Sequence, residues 1–491
     1  MRFYTFARLY GNQILLRGYD DLEGGYFKKK VPFKPTFFLP SKKETEWKTL
    51  EGYSVAPVQP GTIKECRDFI KQYEGVEGTK IYGFDRVLYQ FLAEEYPGEV
   101  EYDMNKIKLW SLDIETSSEN GFPKPELAEE EVLLITMKNY KTKKLITFGS
   151  RSYNVKRDDV EYILCENEHD LLMTFIAWWA EVEPEVITGW NVDAFDITYL
   201  CNRIGKVCGE HNLKKLSPWG MVRSEFTEIM GRSVQTYNIA GVTILDYLEI
   251  YKKFTYTNRE SYRLDVIAEI ELGQKKLDHS EFDTFKDFYT KGWTKFVDYN
   301  LVDVDLVDQM EEKMKLIDLV MLMAYDAHCN YADTFYQVRL WDIIIYNYLR
   351  ERNIVVPPKE VSSRNDQFVG AYVKEPKPGG YDWVCSFDLN SLYPSIIRFL
   401  NISPETILSE KHPQVSGVDV EKLINKEIDI KTPEDICVAA NGAMFSKNKQ
   451  GIMPQLVIKM YEERVKYKRT MLAQKQVLVD IETEMKKRGL K

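Results

Sequence analysis

Residues 108–118 read KLWSLDIETSS, and the placement of this stretch decides the fold. A run of strand formers carries two carboxylates, Asp113 and Glu115, two positions apart. In a strand that spacing puts both on one face, so Leu112 and Ile114 enter a core on the other. Adjacent carboxylates repel unless a cation lies between them. A hard divalent ion such as Mg²⁺ takes oxygen ligands and suits the pair. Standing alone, an acid-x-acid pair is more often a solvated strand face, so the rest of the chain has to decide.

Working outward, residues 187–200 read ITGWNVDAFDITYL. Val186 to Gly189 reads as a strand end and Phe195 to Ile204 as a helix. Asn191 and Asp196 form an NxxxFD pattern, with Asp193 as the rival acid because either could cap the helix. Residues 295–310 read KFVDYNLVDVDLVDQM. Tyr299 and Asp303 are four apart and share one helix face. Asp298, Asp305 and Asp308 are the rivals here, and taken alone the run is a solvated acidic face.

A second stretch, residues 384–397, reads VCSFDLNSLYPSII. Val384 to Phe387 predicts a short strand ending on Asp388, and Pro394 opens a helix over Ser395 to Leu400. A carboxylate at a strand end before a tight turn suits a divalent metal, and the turn's N–H groups suit a phosphate.

The chain has 491 residues, too many for one core, so three or four domains are expected. Net charge is 66 − 76 = −10, which is not the profile of a simple basic nucleic-acid binder. Nucleic-acid contacts would have to come from local basic patches. Seven cysteines include no CxxC pair, which disfavours a zinc ribbon or a disulfide framework and fits a reducing compartment. The N-terminus shows no signal-peptide core, and the longest apolar candidate, Leu316 to Ala324, is interrupted by Asp318. No membrane partner is expected.

Along the chain, Phe3 to Tyr10 and Ile14 to Tyr19 flank Gly11-Asn12 as a hairpin, and Thr62 to Tyr73 reads as a helix. Two alternating runs flank Met230-Gly231-Arg232-Ser233 as a second hairpin. Tyr247 to Phe254, and Ser261 to Leu272 with Gly273 behind it, read as support. Residues 316–359 read helical up to Pro357-Pro358, and SEKHPQVSGVDVEKLINKEIDI as an insertion. From Pro454 onward a long helix is expected. Lys459 to Lys491 holds ten Lys/Arg against five Asp/Glu, and Arg464 and Lys468 share a face. Such a pair could grip a triphosphate, although a solvated basic helix is the commoner meaning of the pattern.

The decapeptide Asp388 to Ile397 resembles the first palm motif of family B DNA polymerases, in particular the replicative type of T-even phages. The order DxE, NxxxFD, YxxxD resembles the three exonuclease motifs of proofreading members. The resemblance implies an α/β multidomain chain with a ribonuclease H-like exonuclease domain, a partial palm and one fingers helix. The expected domains are an N-terminal domain with an RNA-binding-like fold (1–106), a 3′–5′ exonuclease (107–315), a return segment of the N-terminal domain (316–359), the first part of the palm (360–450) and the first fingers helix (451–491).

Carried over residue by residue, the resemblance implies that Asp113, Glu115, Asp196 and Asp303 bind two Mg²⁺ ions, which Mn²⁺ can replace, while Tyr299 orients the attacking water. Asp388 and the Leu389 carbonyl would hold the polymerase metals. Ser391, Leu392, Tyr393, Arg464 and Lys468 would meet the deoxynucleoside triphosphate. Phe368-Val369-Gly370-Ala371 resembles the link between the two halves, with Phe where the family usually has Tyr. Val465 stands where relatives carry Lys. The second hairpin would help part primer from template.

The family's second palm Asp (YxDTD) and its KxxxNSxYG helix are not found in the sequence. A C-terminal polypeptide carrying them is therefore expected, and both a naturally split polymerase and a chain cut within the fingers stay open. Other implied partners are primer-template and single-stranded DNA and a sliding clamp, in the cytoplasm of a phage-infected bacterium. The rival class is a non-catalytic nucleic-acid-binding subunit with inert motifs.

Overall fold

A computed structural model describes residues 1–489 apart from 74–75, 77–78, 120, 230–231, 359–371, 390 and 419, and of 227–229 and 232 only the backbone. The chain divides into two compact units, residues 1–358 and 359–491.

In the first unit, an antiparallel sheet is built from β1 (Arg2–Tyr10), β2 (Gln13–Asp20) and β3 (Gly25–Pro32). The hairpin expected at Gly11-Asn12 pairs Tyr10 with Gln13. A small two-stranded sheet, β4 (Phe37–Pro40) and β5 (Val55–Val58), precedes α1 (Ile63–Tyr73) and α2 (Val87–Glu95).

The central element is a six-stranded sheet. Its strands are β6 (Leu109–Thr116), β7 (Val132–Asn139), β8 (Leu145–Gly149), β9 (Val160–Leu164), β10 (Val186–Gly189) and β13 (Thr243–Asp246). Their spatial order is β13-β10-β6-β7-β8-β9. β6, β7 and β8 form an antiparallel meander, while β10 runs parallel to both β6 and β13. Between β10 and β13 the hairpin β11 (Val222–Ile229) and β12 (Arg232–Ile239) stands as a separate pair, with its expected turn residues Met230 and Gly231 outside the described residues.

Helices cover both faces of this sheet. On one side, α3 (Glu168–Val182) and α4 (Thr198–Val207) bury Phe175, Trp179, Tyr199 and Leu200 against Trp110, Leu112 and Ile114 of β6. On the other, α8 (Phe285–Lys291) and α9 (Trp293–Met314) pack Phe288, Phe296 and Leu301 against Leu134 and Leu145. The odd positions of β6, Asp113 and Glu115 among them, belong to this second face. In chain order α5 (Glu210–Leu213), α6 (Tyr247–Phe254) and α7 (Leu264–Leu272) come between α4 and α8.

α10 (Leu316–Ala327) and α11 (Gln337–Arg350) turn back onto the N-terminal strands. Tyr325 donates its hydroxyl to the Tyr4 carbonyl at 2.8 Å, and Tyr346 stacks on Phe84 at 4.6 Å. Residues from three segments expected above, the N-terminal domain, its return segment and the exonuclease, thus share one apolar core. Among the described residues no helix is long and apolar enough to cross a membrane.

The second unit holds α12 (Leu392–Leu400), the sheet strands β14 (Ile407–Lys411), β15 (Ile436–Val438) and β16 (Ala443–Ser446), the short α13 (Val420–Ile424) and α14 (Ile452–Lys487). Two expectations are corrected here. Val384 to Phe387 is not a strand: it is exposed and belongs to neither ladder of the β14-β16-β15 sheet. A strand needs a neighbour for its N–H and C=O groups, and no described segment supplies one. α12 also begins before Pro394, which sits inside its first turn, where a missing N–H costs nothing. Pro454 does the same in α14. The Phe368–Ala371 link lies outside the described residues.

Candidate active site

Asp113 and Glu115 enter from β6 and Asp303 from α9, and one carboxylate oxygen from each lies within 4.8 Å of the others. All three line a cavity of about 1070 Å³ together with Asp196 and Tyr299. Two loci more than 180 residues apart meet because α9 crosses the face of the sheet to which the odd residues of β6 belong.

Asp196 arrives differently. β10 pairs with β6 only as far as Thr188↔Ser111. Beyond that point the Ile114 N–H has no strand partner, and the Asp196 carboxylate accepts it at 2.9 Å. The chain reaches this position through a π-helical turn, Asp193–Ile197, in which Ile197 donates to Val192 five residues back. The regular helix expected over Phe195 to Ile204 is therefore α4 preceded by a widened turn, a feature often found at functional sites. Gly189 permits the approach of β10: a Cβ there would lie 2.4 Å from the Leu112 carbonyl oxygen. Asp196 is not part of the three-oxygen cluster. It borders it through the backbone of Ile114, between Asp113 and Glu115.

The rival carboxylates point elsewhere. Asp305 and Asp308 pair with Lys138 of β7 at 2.8 and 2.7 Å, and Arg157 and Lys143 add a second cation to each. Asp298 accepts from Tyr153 and pairs with Lys156. Asp193 is absent from the cavity wall, and burial beside Asp246 and Glu249 pushes its carboxyl up to about 7.

Sequence reasoning missed two residues. Lys276, in the loop after α7, bonds the Asp303 carboxylate and lies 3.1 Å from the Tyr299 hydroxyl. Asn300, fully buried on α9, donates to Asp113 at 2.6 Å. Asn300 was findable, since it sits three residues before Asp303 on a helix. Lys276 had no local signal, because nothing in Lys275-Lys276 says which lysine turns inward.

Burial, then the charge of Asp303, pushes the Asp113 carboxyl up to about 8, against the opposing pull of Lys276 and Asn300. Burial raises Glu115 and Asp196 as well, with Asp113 the next cause for each. The Tyr299 phenol is raised by burial and by Asp303, so it stays a neutral hydroxyl. Carboxyls that resist ionisation at neutral pH mark a site short of positive charge. Buried Asp303 Oδ1 has no hydrogen-bond partner. An all-oxygen donor set with one unpartnered carboxylate oxygen fits a divalent cation of the Mg²⁺ or Mn²⁺ type.

Asp388, Leu389 and Tyr393 are exposed in the second unit, and Ser391 takes a left-handed conformation (φ 52°) ahead of α12. α12 packs along the start of α14, where Pro394, Ser395 and Arg398 meet Val457, Ile458 and Tyr461. Arg464 and Lys468 follow on α14, both exposed. Asp388 belongs to no group of three or more metal-binding side chains among the described residues.

Residues 79–267 match the family model of the DNA polymerase family B exonuclease domain, and residues 335–487 that of DNA polymerase family B. The chain belongs to family B of the DNA polymerases, with an exonuclease domain. Its relatives include the DNA-directed DNA polymerases of Enterobacteria phage T4 and Escherichia phage RB69, each 32% identical over 96% of this chain and 54% of the relative. A DNA polymerase of Pyrococcus glycovorans is 24% identical over 92% of the chain and 54% of its own length. The chain thus spans about half the length of the curated relatives it matches.

Proposed function

We propose that the chain is the N-terminal part of a replicative DNA-directed DNA polymerase and that its own residues carry out 3′–5′ proofreading hydrolysis. The carrying observation is the meeting of Asp113, Glu115 and Asp303 oxygens within 4.8 Å, bordered by Asp196, in one cavity. The sheet order β8-β7-β6-β10-β13, a meander followed by two parallel strands, supports a ribonuclease H-like exonuclease domain over 107–315. The proposed neighbours are the N-terminal domain 1–106 with its return segment 316–359, the palm 360–450 and the fingers helix 451–491.

Asp113, Glu115, Asp196 and Asp303 would hold two Mg²⁺ or Mn²⁺ ions, which when bound supply a hydroxide nucleophile and stabilise the leaving 3′ oxygen. Tyr299, held neutral and bonded to Lys276, would orient the attacking water. Lys276 offsets part of the carboxylate repulsion. The cavity also carries Trp190, Phe195 and the exposed Phe122, aromatic faces on which unpaired bases can stack, with Arg263 and Lys286 for phosphates. This wall supports single-stranded DNA as substrate, and the carboxylate cluster argues against an inert binding subunit.

For nucleotidyl transfer, Asp388 and the Leu389 carbonyl would hold metal. Ser391, Leu392, Tyr393, Arg464 and Lys468 would meet the triphosphate of a deoxynucleotide paired to primer-template DNA. A C-terminal polymerase segment would complete the site. Its support is the bare Val384 to Phe387 run and the exposed apolar residues Leu472, Val477, Leu478 and Ile481 on α14. Primer extension tests this half. The chain with Asp113→Ala should extend no primer alone, and should do so when mixed with a polypeptide carrying YxDTD and KxxxNSxYG. Extension by the chain alone would refute it. For the exonuclease half, wild-type chain should shorten 3′ single strands with Mg²⁺ or Mn²⁺, and Asp113→Ala should not. Equal digestion by the two would refute that reading.

A further inference from the structure

Asp246 ends β13 and is buried, yet it lies outside the carboxylate cluster and away from the cavity wall. Its side chain accepts three backbone N–H bonds. One comes from Leu248, at 2.9 Å, as the cap of α6. The other two come from a different segment: Asn191 at 3.1 Å and Asp193 at 3.2 Å.

Those two amides belong to the crossing between β10 and the π-turn. Asn191 sits there in the left-handed region (φ 62°), which asparagine adopts more readily than most non-glycine residues. Amides at the start of a helical segment have no partner within it. Downstream, the Asn191 carbonyl receives Phe195 N–H and the Val192 carbonyl receives Ile197 N–H. The extra residue in that turn brings Asp196 onto Ile114.

We infer that Asp246 is a positioning residue for the hydrolytic site: by holding Asn191 and Asp193 it fixes the widened turn that places Asp196 beside Asp113 and Glu115. The inference rests on the hydrolytic function proposed above. A capping role alone would require only the Leu248 bond. The two bonds to the crossing are what a cap does not explain, and both carboxylate oxygens are needed to make them: Oδ1 serves Asn191 and Leu248, Oδ2 serves Asp193.

Asp246→Asn keeps one acceptor oxygen for Leu248 and Asn191 and remains a good cap, but its amide nitrogen, in the place of Oδ2, cannot accept from Asp193. The expected result is a fall of about 10- to 100-fold in kcat for single-strand digestion with KM unchanged. In metal-free protein, amide hydrogen exchange at Ile114 should speed up while the amides of α6 keep their protection. Asp246→Ser, whose hydroxyl reaches only the cap, should lose more activity with the same exchange pattern, and it is the variant to use if Asp246→Asn does not fold. Wild-type kcat together with unchanged Ile114 exchange overturns the inference. So does faster exchange spread evenly through α6, which would mark a cap and nothing more. If the wild-type chain digests no DNA, the proposed hydrolysis fails instead, and the exchange measurement still decides the role of Asp246.

Discussion

The backbone N–H of Ile114 donates to the Asp196 carboxylate at 2.9 Å, joining a β-strand to a π-turn 82 residues further on. The contact selects one acid over its neighbour three residues earlier. Asp193 faces Asp246 and Glu249 instead.

Asp196→Ala should therefore remove several orders of magnitude from the digestion rate, whereas Asp193→Ala should stay within a few-fold of wild type. Loss of the bond also leaves a buried N–H unpaired, which costs about 1–3 kcal/mol and should lower Tm. The reverse order of the two variants in a 3′-end digestion assay would mean that Asp193 is the ligand.

Metal-free protein should lose stability as pH rises. Asp113 has its folded carboxyl raised to about 8 by burial and by Asp303. A carboxyl raised on folding binds its proton more tightly in the native state. Its stabilisation is complete below the unfolded value near 3.9 and is lost as pH climbs through about 8. Thermal melts in chelator should thus show Tm falling between about pH 4 and 8. Added Mg²⁺ or Mn²⁺ should restore most at the alkaline end, where no proton competes. A flat profile in chelator would contradict the burial of these carboxyls.

Lys276→Met removes the cation beside Asp303 and Tyr299. Carboxylate repulsion then rises, so the metal-free Tm should drop while the Tm gain on adding Mg²⁺ grows relative to wild type. Equal gains in both proteins would show that Lys276 does not offset the cluster.

Lys138→Met leaves Asp305 and Asp308 as largely buried acids with weakened pairing, their side chains 14% and 8% exposed. Breaking a buried ion pair from one side costs about 3–5 kcal/mol. Denaturant unfolding should show a loss of that order, and Asp308→Asn in the same background should recover part of it. A loss below about 1 kcal/mol would place the network among weak surface pairs.

On α14, Leu478→Glu with Ile481→Glu should leave the stability of the isolated chain nearly unchanged, because both side chains are about half exposed. The same pair should abolish binding of a C-terminal polymerase polypeptide in sedimentation. Unimpaired association would place the interface elsewhere.

What the sequence determined by itself is local and periodic. Alternation along β6 put Asp113 and Glu115 on one face, and four-residue spacing put Tyr299 and Asp303 on one side of α9. The hairpin at Gly11-Asn12 and the unbroken helix after Gly451 follow from turn and helix formers within a few residues. Tertiary structure alone decided which acids meet. Asp305 and Asp308 are acids of the same helix as Asp303, but Lys138 on a neighbouring strand takes them. Lys276 reaches Asp303 from a loop with no pattern of its own, and the widened turn carries Asp196, not Asp193, to Ile114. Val384 to Phe387 has the composition of a strand and forms none among the described residues, since a strand is a property of a pair. Side-chain periodicity fixes the face on which a residue lies. The segment that covers that face is set by packing between distant parts of the chain, which no local pattern records.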